Sequence, residues 1–290
     1  MRCLIALALT ATPALAEVPS VVTDIPPVHS LVAQVMGNLG HPELLLAKGA
    51  DEHDFQLRPS QAGAVADAGL VVWIGPKLTP WLESALENRP DGAAALALLD
   101  AEGTMRRAYG GAKPDAHGGD DPHAWLDPGN GQAWLGLIAE ELGRLDPENA
   151  ATYQANATAG AKRIAALDAD LAALLAPVKD KPIVTYHDAF GYFADHYGLT
   201  LVGSVAQGDA SSPGAARLAG LRAALEAGGV ICLFPEAQHD PALVTQMTEG
   251  TGAKVGGALD PVGSSLEPAP EAYAALLTGL AQTIADCAGE

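Results

Sequence analysis

Short apolar runs alternate with segments of helical periodicity along most of the chain. The strand-like runs of the first half cover residues 20–24, 43–47, 70–75 and 95–99, and those of the second half cover 183–186, 201–205, 230–235 and 254–258. The helical patterns between and after them cover 28–36, 60–68, 80–87, 190–197, 213–226, 241–249 and 271–288. Apolar strands that alternate with helices are typical of parallel sheets. The pattern therefore predicts an α/β fold with two lobes of parallel sheet flanked by helices.

A longer helical pattern lies between the two sets of strands. Asp146 is a suitable N-cap with Pro147 at the first helical position, and apolar residues then recur at helical spacing as far as Leu174. A helix over 147–176 would be about 45 Å long. Because the chain has one such segment, a rigid helix between lobes is favoured over a coiled coil. We expect an N-terminal lobe at 17–146 and a C-terminal lobe at 177–290.

The first sixteen residues read MRCLIALALTATPALA. One arginine precedes a short apolar run that ends in small residues, which is the layout of a secretory signal peptide. The run is too short to cross a bilayer. We expect cleavage after Ala16 and a mature, soluble protein in the periplasm.

Composition narrows the class of partner. The 290 residues include 35 acidic and 16 basic side chains, for a formal charge of −19, so the surface should repel nucleic acid. Cleavage would leave two cysteines, Cys232 and Cys287. An even number in an oxidising compartment favours a disulfide, and two buried thiols are the alternative.

Four residues with metal-binding side chains occupy similar places in the pattern. His53 and His187 follow predicted strands, Asp260 lies just beyond another, and His123 opens a helix-like stretch after a polar loop. In parallel α/β sheets the loops at the carboxyl ends of strands converge on a ligand crevice. Three imidazoles and one carboxylate suit Zn²⁺. The hypothesis is a zinc site, and the alternative for each residue taken singly is a hydrogen-bonded loop or cap residue.

The other histidines have weaker patterns. His29 is expected to pack within a helix, His41 to be solvated, His196 to lie at a helix end, and His239 to lie in a loop. None of them is expected to be a ligand.

Five stretches, taken in order, resemble the motifs of the metal-specific, ZnuA-like solute-binding proteins of bacterial ABC importers. They are GADEHDFQLRPSQ, DPHAWLDP, TYHDAFGYFADHYGL, LFPEAQHDP and TGAKVGGALDPVG, and the resemblance runs from about Val21 to the C-terminus. It implies two α/β lobes joined by a long rigid helix, with the metal held between them. The ligands that it implies are His53, His123, His187 and Asp260.

The resemblance also bears on the metal and on the cysteines. Manganese-binding relatives have a glutamate where this chain has His187, so histidine favours zinc. Cys232 and Cys287 match positions that resemble the disulfide of zinc-binding members. Many of those members have a long histidine-rich loop before the second ligand, whereas here the loop offers His117, Asp115, Asp120 and Asp121.

Two carboxylates near the proposed ligands have open roles. Glu52 is adjacent to His53 and competes with Asp260 for the fourth position, with Asp260 ranked first because it lies at a strand end. Glu236 could orient a ligand imidazole. Alternatively, Glu236 could form an ion pair with Arg217 or Arg222.

The expected function is the high-affinity binding of Zn²⁺ outside the cytoplasm and its delivery to an ABC permease with a cytoplasmic ATPase. The protein is expected to be a monomer and to catalyse no reaction, and a periplasmic zinc chaperone is a further partner to consider. The alternatives are a manganese or iron importer component, a zinc hydrolase, and a binding protein for an organic solute. The last is disfavoured because aromatic residues make up 5% of the chain.

Overall fold

The computed structural model describes residues 18–53, 55–111, 119–206 and 214–289. Two four-stranded parallel sheets organise these residues. The first sheet contains β1 (Val21–Thr23), β2 (Glu43–Leu44), β3 (Leu70–Trp73) and β4 (Ala94–Ala97), in the order β2-β1-β3-β4. The second contains β5 (Ile183–Thr185), β6 (Leu201–Ser204), β7 (Cys232–Leu233) and β8 (Lys254–Val255), in the order β6-β5-β7-β8. The second sheet therefore repeats the topology of the first.

Helices connect and cover the sheets. They are α1 (Pro26–Met36), α2 (Pro59–Asp67), α3 (Pro80–Glu87), α4 (Pro128–Leu145), α5 (Ala150–Leu175), α6 (Gly191–Tyr197), α7 (Ala215–Glu226), α8 (Ala242–Thr248) and α9 (Ala272–Gly289). Two 3₁₀ turns lie at Tyr109–Gly111 and Ala124–Leu126. The predicted α/β class with two parallel sheets is confirmed. We call the elements around each sheet the first and the second lobe, and the exact boundaries expected at 146 and 177 stay a prediction.

The strands are shorter than the apolar runs that predicted them. The run 230–235, for example, contains only Cys232–Leu233 as a paired strand. Val230 and Phe234 on either side of it are nevertheless buried. The apolar pattern reports burial, and burial continues past the last residue of the hydrogen-bonded ladder.

The segment between the sheets is a pair of helices. Here the sequence pattern predicted a helix-like stretch after His123 without bounds, and Trp134, Leu135, Ile138 and Leu142 form the buried face of α4. The 26 residues of α5 make it about 39 Å long. It packs against α1, α4 and α9, which come from both ends of the chain. The long helix that was expected to join the lobes by itself is therefore one member of a layer of helices.

The predicted cap at Asp146 is wrong. Helix α5 begins at Ala150, and Asp146 instead ends α4. Its carboxylate accepts hydrogen bonds from the Asn149 amide, at 2.8 Å, and from the Tyr153 hydroxyl, at 2.9 Å. Because a buried carboxylate needs hydrogen-bond donors, these two contacts tie the end of α4 to the start of α5.

One continuous core supports both lobes. The largest buried cluster includes Leu31 and Leu135 from the first half of the chain, Ile164 from α5, and Phe193 and Leu277 from the second half. Since well-packed interiors resist deformation, this core gives the loops above it a fixed frame.

The predicted disulfide is confirmed. Cys232 of β7 is bonded to Cys287 of α9, with 6.3 Å between the Cα atoms and 55 residues of sequence separation. Closing a loop of this length stabilises a fold by roughly 4 kcal/mol on the chain-entropy model. The bond ties the second sheet to the C-terminal helix.

In the described ranges no helix has the length and apolar character needed to cross a membrane. The expected signal peptide at 1–16 lies outside the described residues.

Candidate metal centre

Three histidines from three separate loops meet between the lobes. His53 follows β2, His123 precedes the turn Ala124–Leu126, and His187 follows β5. One ring nitrogen from each lies within 4.8 Å of the others, and the Nε2 atoms of His123 and His187 are 3.4 Å apart. The side chains of His123 and His187 are buried, and that of His53 is 8% exposed. Among the described residues this is the group of side chains that could hold a metal ion.

Asp121 holds the ring of His123. One carboxylate oxygen, Oδ1, lies 2.7 Å from Nδ1 of the imidazole and accepts the backbone N–H of His123 at 3.0 Å. A carboxylate partner at Nδ1 favours the tautomer that has its proton on that nitrogen. Nε2 is then left as the electron-pair donor, and it is the atom that faces His187.

Glu236 holds His187 in the same way. Its Oε1 and Oε2 atoms lie 2.6 and 2.7 Å from Nδ1, and Oε1 also accepts the backbone N–H at 3.3 Å. The alternative ion pairs have other partners, since Arg217 donates to Ser204 and Arg222 to Glu226. Two imidazoles are therefore oriented by buried carboxylates, with their Nε2 atoms turned towards each other.

The structure does not bring Asp260 into the group of three histidines. Its Oδ1 accepts the Gln238 amide at 2.9 Å and the Ser264 N–H at 3.1 Å. Its Oδ2 accepts the N–H of Ser265 at 2.9 Å and the hydroxyl at 2.6 Å. Three of these hydrogen bonds come from the loop of Asp260 itself and the fourth comes from Gln238, and together they occupy both carboxylate oxygens. A place just beyond a strand did not determine the direction of the side chain.

Glu52 is a third carboxylate that contacts the cluster, at His53. Its Oε1 lies 3.6 Å from Nε2 of His53, and the residue is 2% exposed. Burial raises the pKa of this carboxyl to about 7, against the opposing effect of the neighbouring imidazoles of His123 and His187. The loop is fixed by the Trp81 indole, which donates to the Glu52 carbonyl at 3.0 Å.

The space at the centre is small. A cavity of about 10 Å³ is lined by residues that include Glu52, His53 and His187. That is about the size of one water molecule. The arrangement can bind a single ion and has no room for an organic solute.

The remaining accessory candidates lie away from the centre or outside the described residues. Asp120 forms ion pairs with Lys77 and Arg106, and the Lys77 contact, followed by Arg106, lowers the pKa of its carboxyl. His117, with Asp115, lies in the part of the chain that the structure does not describe.

His239 is a neighbour of the site that the sequence pattern missed. Its ring stacks on Tyr186, with 4.3 Å between ring centroids, and its Nε2 lies 3.6 Å from Oε2 of Glu236. The signal in the sequence was its place three residues after Glu236 in the motif PEAQHDP.

Three histidines lie elsewhere. His29 is buried, with Nε2 3.2 Å from the Pro42 carbonyl, and burial lowers its pKa. His196 lies between two carboxylates, which raise its pKa to about 9. His41 is exposed.

The model of one protein family matches nearly the whole chain. It describes the periplasmic component A of zinc-uptake complexes, and it matches residues 21–287. This chain belongs to that family. The family that the sequence motifs resemble is thereby confirmed. Its members are periplasmic solute-binding proteins.

Relatives within this zinc-uptake family are similar over almost their full length. The high-affinity zinc uptake system protein ZnuA of Paracoccus denitrificans is 49% identical, over 98% of this chain and 96% of the relative. The protein of the same name from Brucella abortus is 35% identical, over 93% and 92%.

Solved structures of similar shape show the same fold. A ZnuA deletion mutant with zinc bound has a TM-score of 0.79 at 24% identity, covering 93% of this chain and 98% of the other. FpvC of Pseudomonas aeruginosa, in complex with Mn²⁺, has a TM-score of 0.82 at 23% identity, covering 94% and 99%. The fold is therefore shared by proteins that were solved with different metals, so the choice of metal must be argued from the side chains.

Proposed function

We propose that this protein captures one Zn²⁺ ion in the periplasm, between its two lobes, and delivers it to the permease of an ABC importer. The observation that carries the proposal is the convergence of His53, His123 and His187, whose ring nitrogens lie within 4.8 Å of one another beside a cavity of about one water volume. Neutral imidazole is a preferred ligand of zinc. The names of the relatives, which are high-affinity zinc uptake proteins, support the same metal.

The proposed ligands are the three histidines, with Glu52 as the fourth donor in place of Asp260. Glu52 contacts His53, whereas the carboxylate of Asp260 accepts hydrogen bonds from Gln238 and from its own loop. A short side-chain rotation would bring Glu52 to the ion, and a bound cation would favour its ionised form.

Asp121 and Glu236 are proposed to keep their imidazoles in the zinc-binding tautomer. Outer partners of this kind orient the ligand and raise its basicity.

A manganese or iron protein is the first alternative. Manganese prefers sites that are richer in oxygen than three imidazoles provide, whereas iron also accepts imidazole ligands. FpvC has the same fold and was solved with Mn²⁺, so this alternative must be tested directly.

A zinc hydrolase is the second alternative. Catalytic zinc keeps a ligand position open for water and substrate, whereas a fourth protein donor in a cavity of this size leaves little room for either. We therefore propose that the protein makes and breaks no covalent bond. The expected partners are the permease with its cytoplasmic ATPase, and a periplasmic zinc chaperone remains to be tested. We expect the protein to act as a monomer.

The test is a competition titration of the metal-free protein with Zn²⁺ and with Mn²⁺ against chelators of known affinity. We expect one zinc per chain, bound far more tightly than manganese. Affinity should fall as pH drops below about 6.5, since protons compete with zinc for the imidazoles. Equal affinity for the two metals, or a zinc affinity that is the same at pH 8 and pH 5, would contradict the proposal.

A further inference from the structure

Arg107 connects the two lobes directly behind the metal centre. Its Nη1 donates to Oδ2 of Asp121 at 2.8 Å, and its Nε donates to Oδ2 of Asp195 at 3.0 Å. Asp121 belongs to the first lobe and holds His123, whereas Asp195 lies on α6 of the second lobe. The arginine side chain is 12% exposed. One guanidinium therefore links a surface carboxylate of one lobe to a buried carboxylate of the other.

The backbone around Arg107 is also joined to α6. The N–H of Arg107 donates to the Tyr192 hydroxyl at 2.9 Å, and that hydroxyl donates to the carbonyl of Asp121 at 3.0 Å. The guanidinium lies directly against Gly191, where a Cβ atom would come within 1.6 Å of Nη1. The first turn of α6 is thus shaped to receive this side chain, and the contact fixes where the arginine lies.

We propose that Arg107 is a positioning residue for zinc, which makes the orientation of His123 depend on the contact between the lobes. Asp121 uses one oxygen for the imidazole and the other for the guanidinium. With Arg107 in place both carboxylate oxygens are held; without it only Oδ1 is held, by the N–H and the imidazole of His123, so the carboxylate can turn about that oxygen and the ring is less firmly oriented. A shift of α6 away from the first lobe would remove Asp195 and Gly191 from Arg107. Zinc would then leave more easily.

This inference rests on the proposed zinc site and adds a residue and a direction to it. Outer partners of metal ligands typically change affinity by about 10- to 100-fold when they are removed. Arg107 contacts Asp121 and acts on the imidazole only through it, so it lies one contact further from the metal centre. We therefore expect an effect near the lower end of that range, and we expect it in the rate of zinc release.

The experiment measures the release of zinc from loaded full-length mature protein into an excess of chelator by stopped flow. The variants are Arg107→Gln, Asp195→Asn and the double variant. Arg106→Gln is the matched control, because Arg106 is adjacent, carries the same charge and pairs instead with Asp100 and Asp120. Asp195 is 64% exposed, so its replacement should leave the fold intact even if Arg107→Gln is poorly folded.

We expect release to accelerate about 10-fold in Arg107→Gln and about 3-fold in Asp195→Asn, with the control unchanged. The double variant should match Arg107→Gln, because Asp195 acts through the arginine. Arg107→Lys, which retains the charge but cannot reach both carboxylates with a planar fork, should restore part of the wild-type rate. Release within twofold of wild type in both single variants overturns the inference, and so do independent, multiplicative effects.

A second readout separates positioning from general destabilisation. Long-range ¹H–¹⁵N NMR of the zinc-free protein should show His123 with its proton on Nδ1, and Asp195→Asn should reduce that tautomer while His187 keeps its spectrum. An unchanged His123 spectrum together with faster release would make Arg107 a merely structural contact and overturn the inference. Wild-type protein that binds no zinc overturns the proposed function itself, whereas normal wild-type binding with unaffected variants overturns only the role of Arg107.

Discussion

His123 and His187 are oriented alike, but the groups behind them differ. Each has a buried carboxylate on Nδ1, Asp121 in one case and Glu236 in the other. Behind Asp121 lies a guanidinium that reaches into the second lobe. Behind Glu236 lies His239, which stacks on Tyr186 of the same lobe.

The difference separates two kinds of support for a ligand. The Glu236 side is held within one lobe, so it should keep its geometry when the lobes move apart. The Asp121 side uses a contact between lobes, so it should respond to such movement. Hinge closure of two domains around a ligand is a common motion, and only the Asp121 side of this site is expected to respond to it.

The largest changes in zinc affinity are expected at the ligands themselves. His123→Ala and His187→Ala should each weaken zinc binding by more than about 100-fold, since losing a ligand should exceed the effect of losing an outer partner. Chelator competition measures both values. His41→Ala is the control, because His41 is exposed and is not a proposed ligand. Tight zinc binding retained in either ligand variant would exclude that histidine from the site.

The two carboxylates offer a sharper contrast. Asp121→Asn and Glu236→Gln should each weaken zinc binding by about 10- to 100-fold. Their effects on the zinc-free protein should differ. Asp121→Asn deprives the largely buried Arg107 of one anionic partner and should lower the free energy of unfolding by about 1–3 kcal/mol. Glu236→Gln should cost less, because no arginine or lysine contact depends on it among the described ion pairs.

Urea unfolding of the two zinc-free variants checks this contrast. Equal losses of stability would mean that Arg107 does not distinguish the two sides. Asp51→Asn is a suitable reference for a neutralised carboxylate in the same region, because Oδ1 of Asp51 accepts the backbone N–H of His53 at 2.8 Å.

The preference for zinc over manganese should depend on His187, which Glu236 holds within one lobe. In His187→Glu a hard oxygen donor replaces a nitrogen, so the ratio of zinc to manganese affinity should fall at least about tenfold, or roughly 1.4 kcal/mol. Zinc should still bind more tightly in absolute terms. Titration with both metals measures the ratio, and His41→Glu is the control for added charge. An unchanged ratio would contradict a ligand role for His187.

The same variant should be made with Glu236→Gln as well. In the single variant the new carboxylate would face Glu236, which now lies within 2.7 Å of the ring of His187. Like charges at that distance repel. The shift in metal preference should therefore be larger in the double variant than in the single one.

The smallest expected effect is at His196, an imidazole between carboxylates that lies away from the metal centre. Asp127 and then Asp168 raise its pKa to about 9 from an ordinary value of 6.5. A raised pKa means that the charged form stabilises the fold fully below pH 6.5 and that this contribution is lost as pH rises through about 9. Wild type should melt a few degrees above His196→Gln at pH 6, and the two should converge near pH 10. A difference that is the same at both pH values would show that the contact works without charge.

Much of this site was visible in the sequence. The eight apolar runs predicted the two parallel sheets, and the positions of His53, His123 and His187 beyond strands or at a helix start placed them near one edge. The cysteine pair and the family motifs could likewise be identified from the sequence. Each of these signals depends on periodicity, spacing or residue type, which the chain carries locally.

Other features were not legible for identifiable reasons. Helix α4 was predicted only as a helix-like stretch without bounds, because its pattern follows directly on the polar motif around His123. The N-cap assigned to Asp146 failed because a carboxylate before a proline suits either the start of one helix or the end of another. Arg107 carried no signal, since its partners are 14 and 88 residues away.

The sequence by itself determined which residues would be buried, which strands would pair in parallel and which imidazoles could serve as ligands. Only the tertiary structure decided where the acidic side chains point. Asp260 and Glu52 both lie in loops near the site, but Gln238, Ser264 and Ser265 occupy the carboxylate of the first, whereas the second lies 3.6 Å from the ring of His53. The physical reason is that hydrophobic burial follows a short repeat along the chain, whereas the direction of a polar side chain follows the donors that distant segments bring to it.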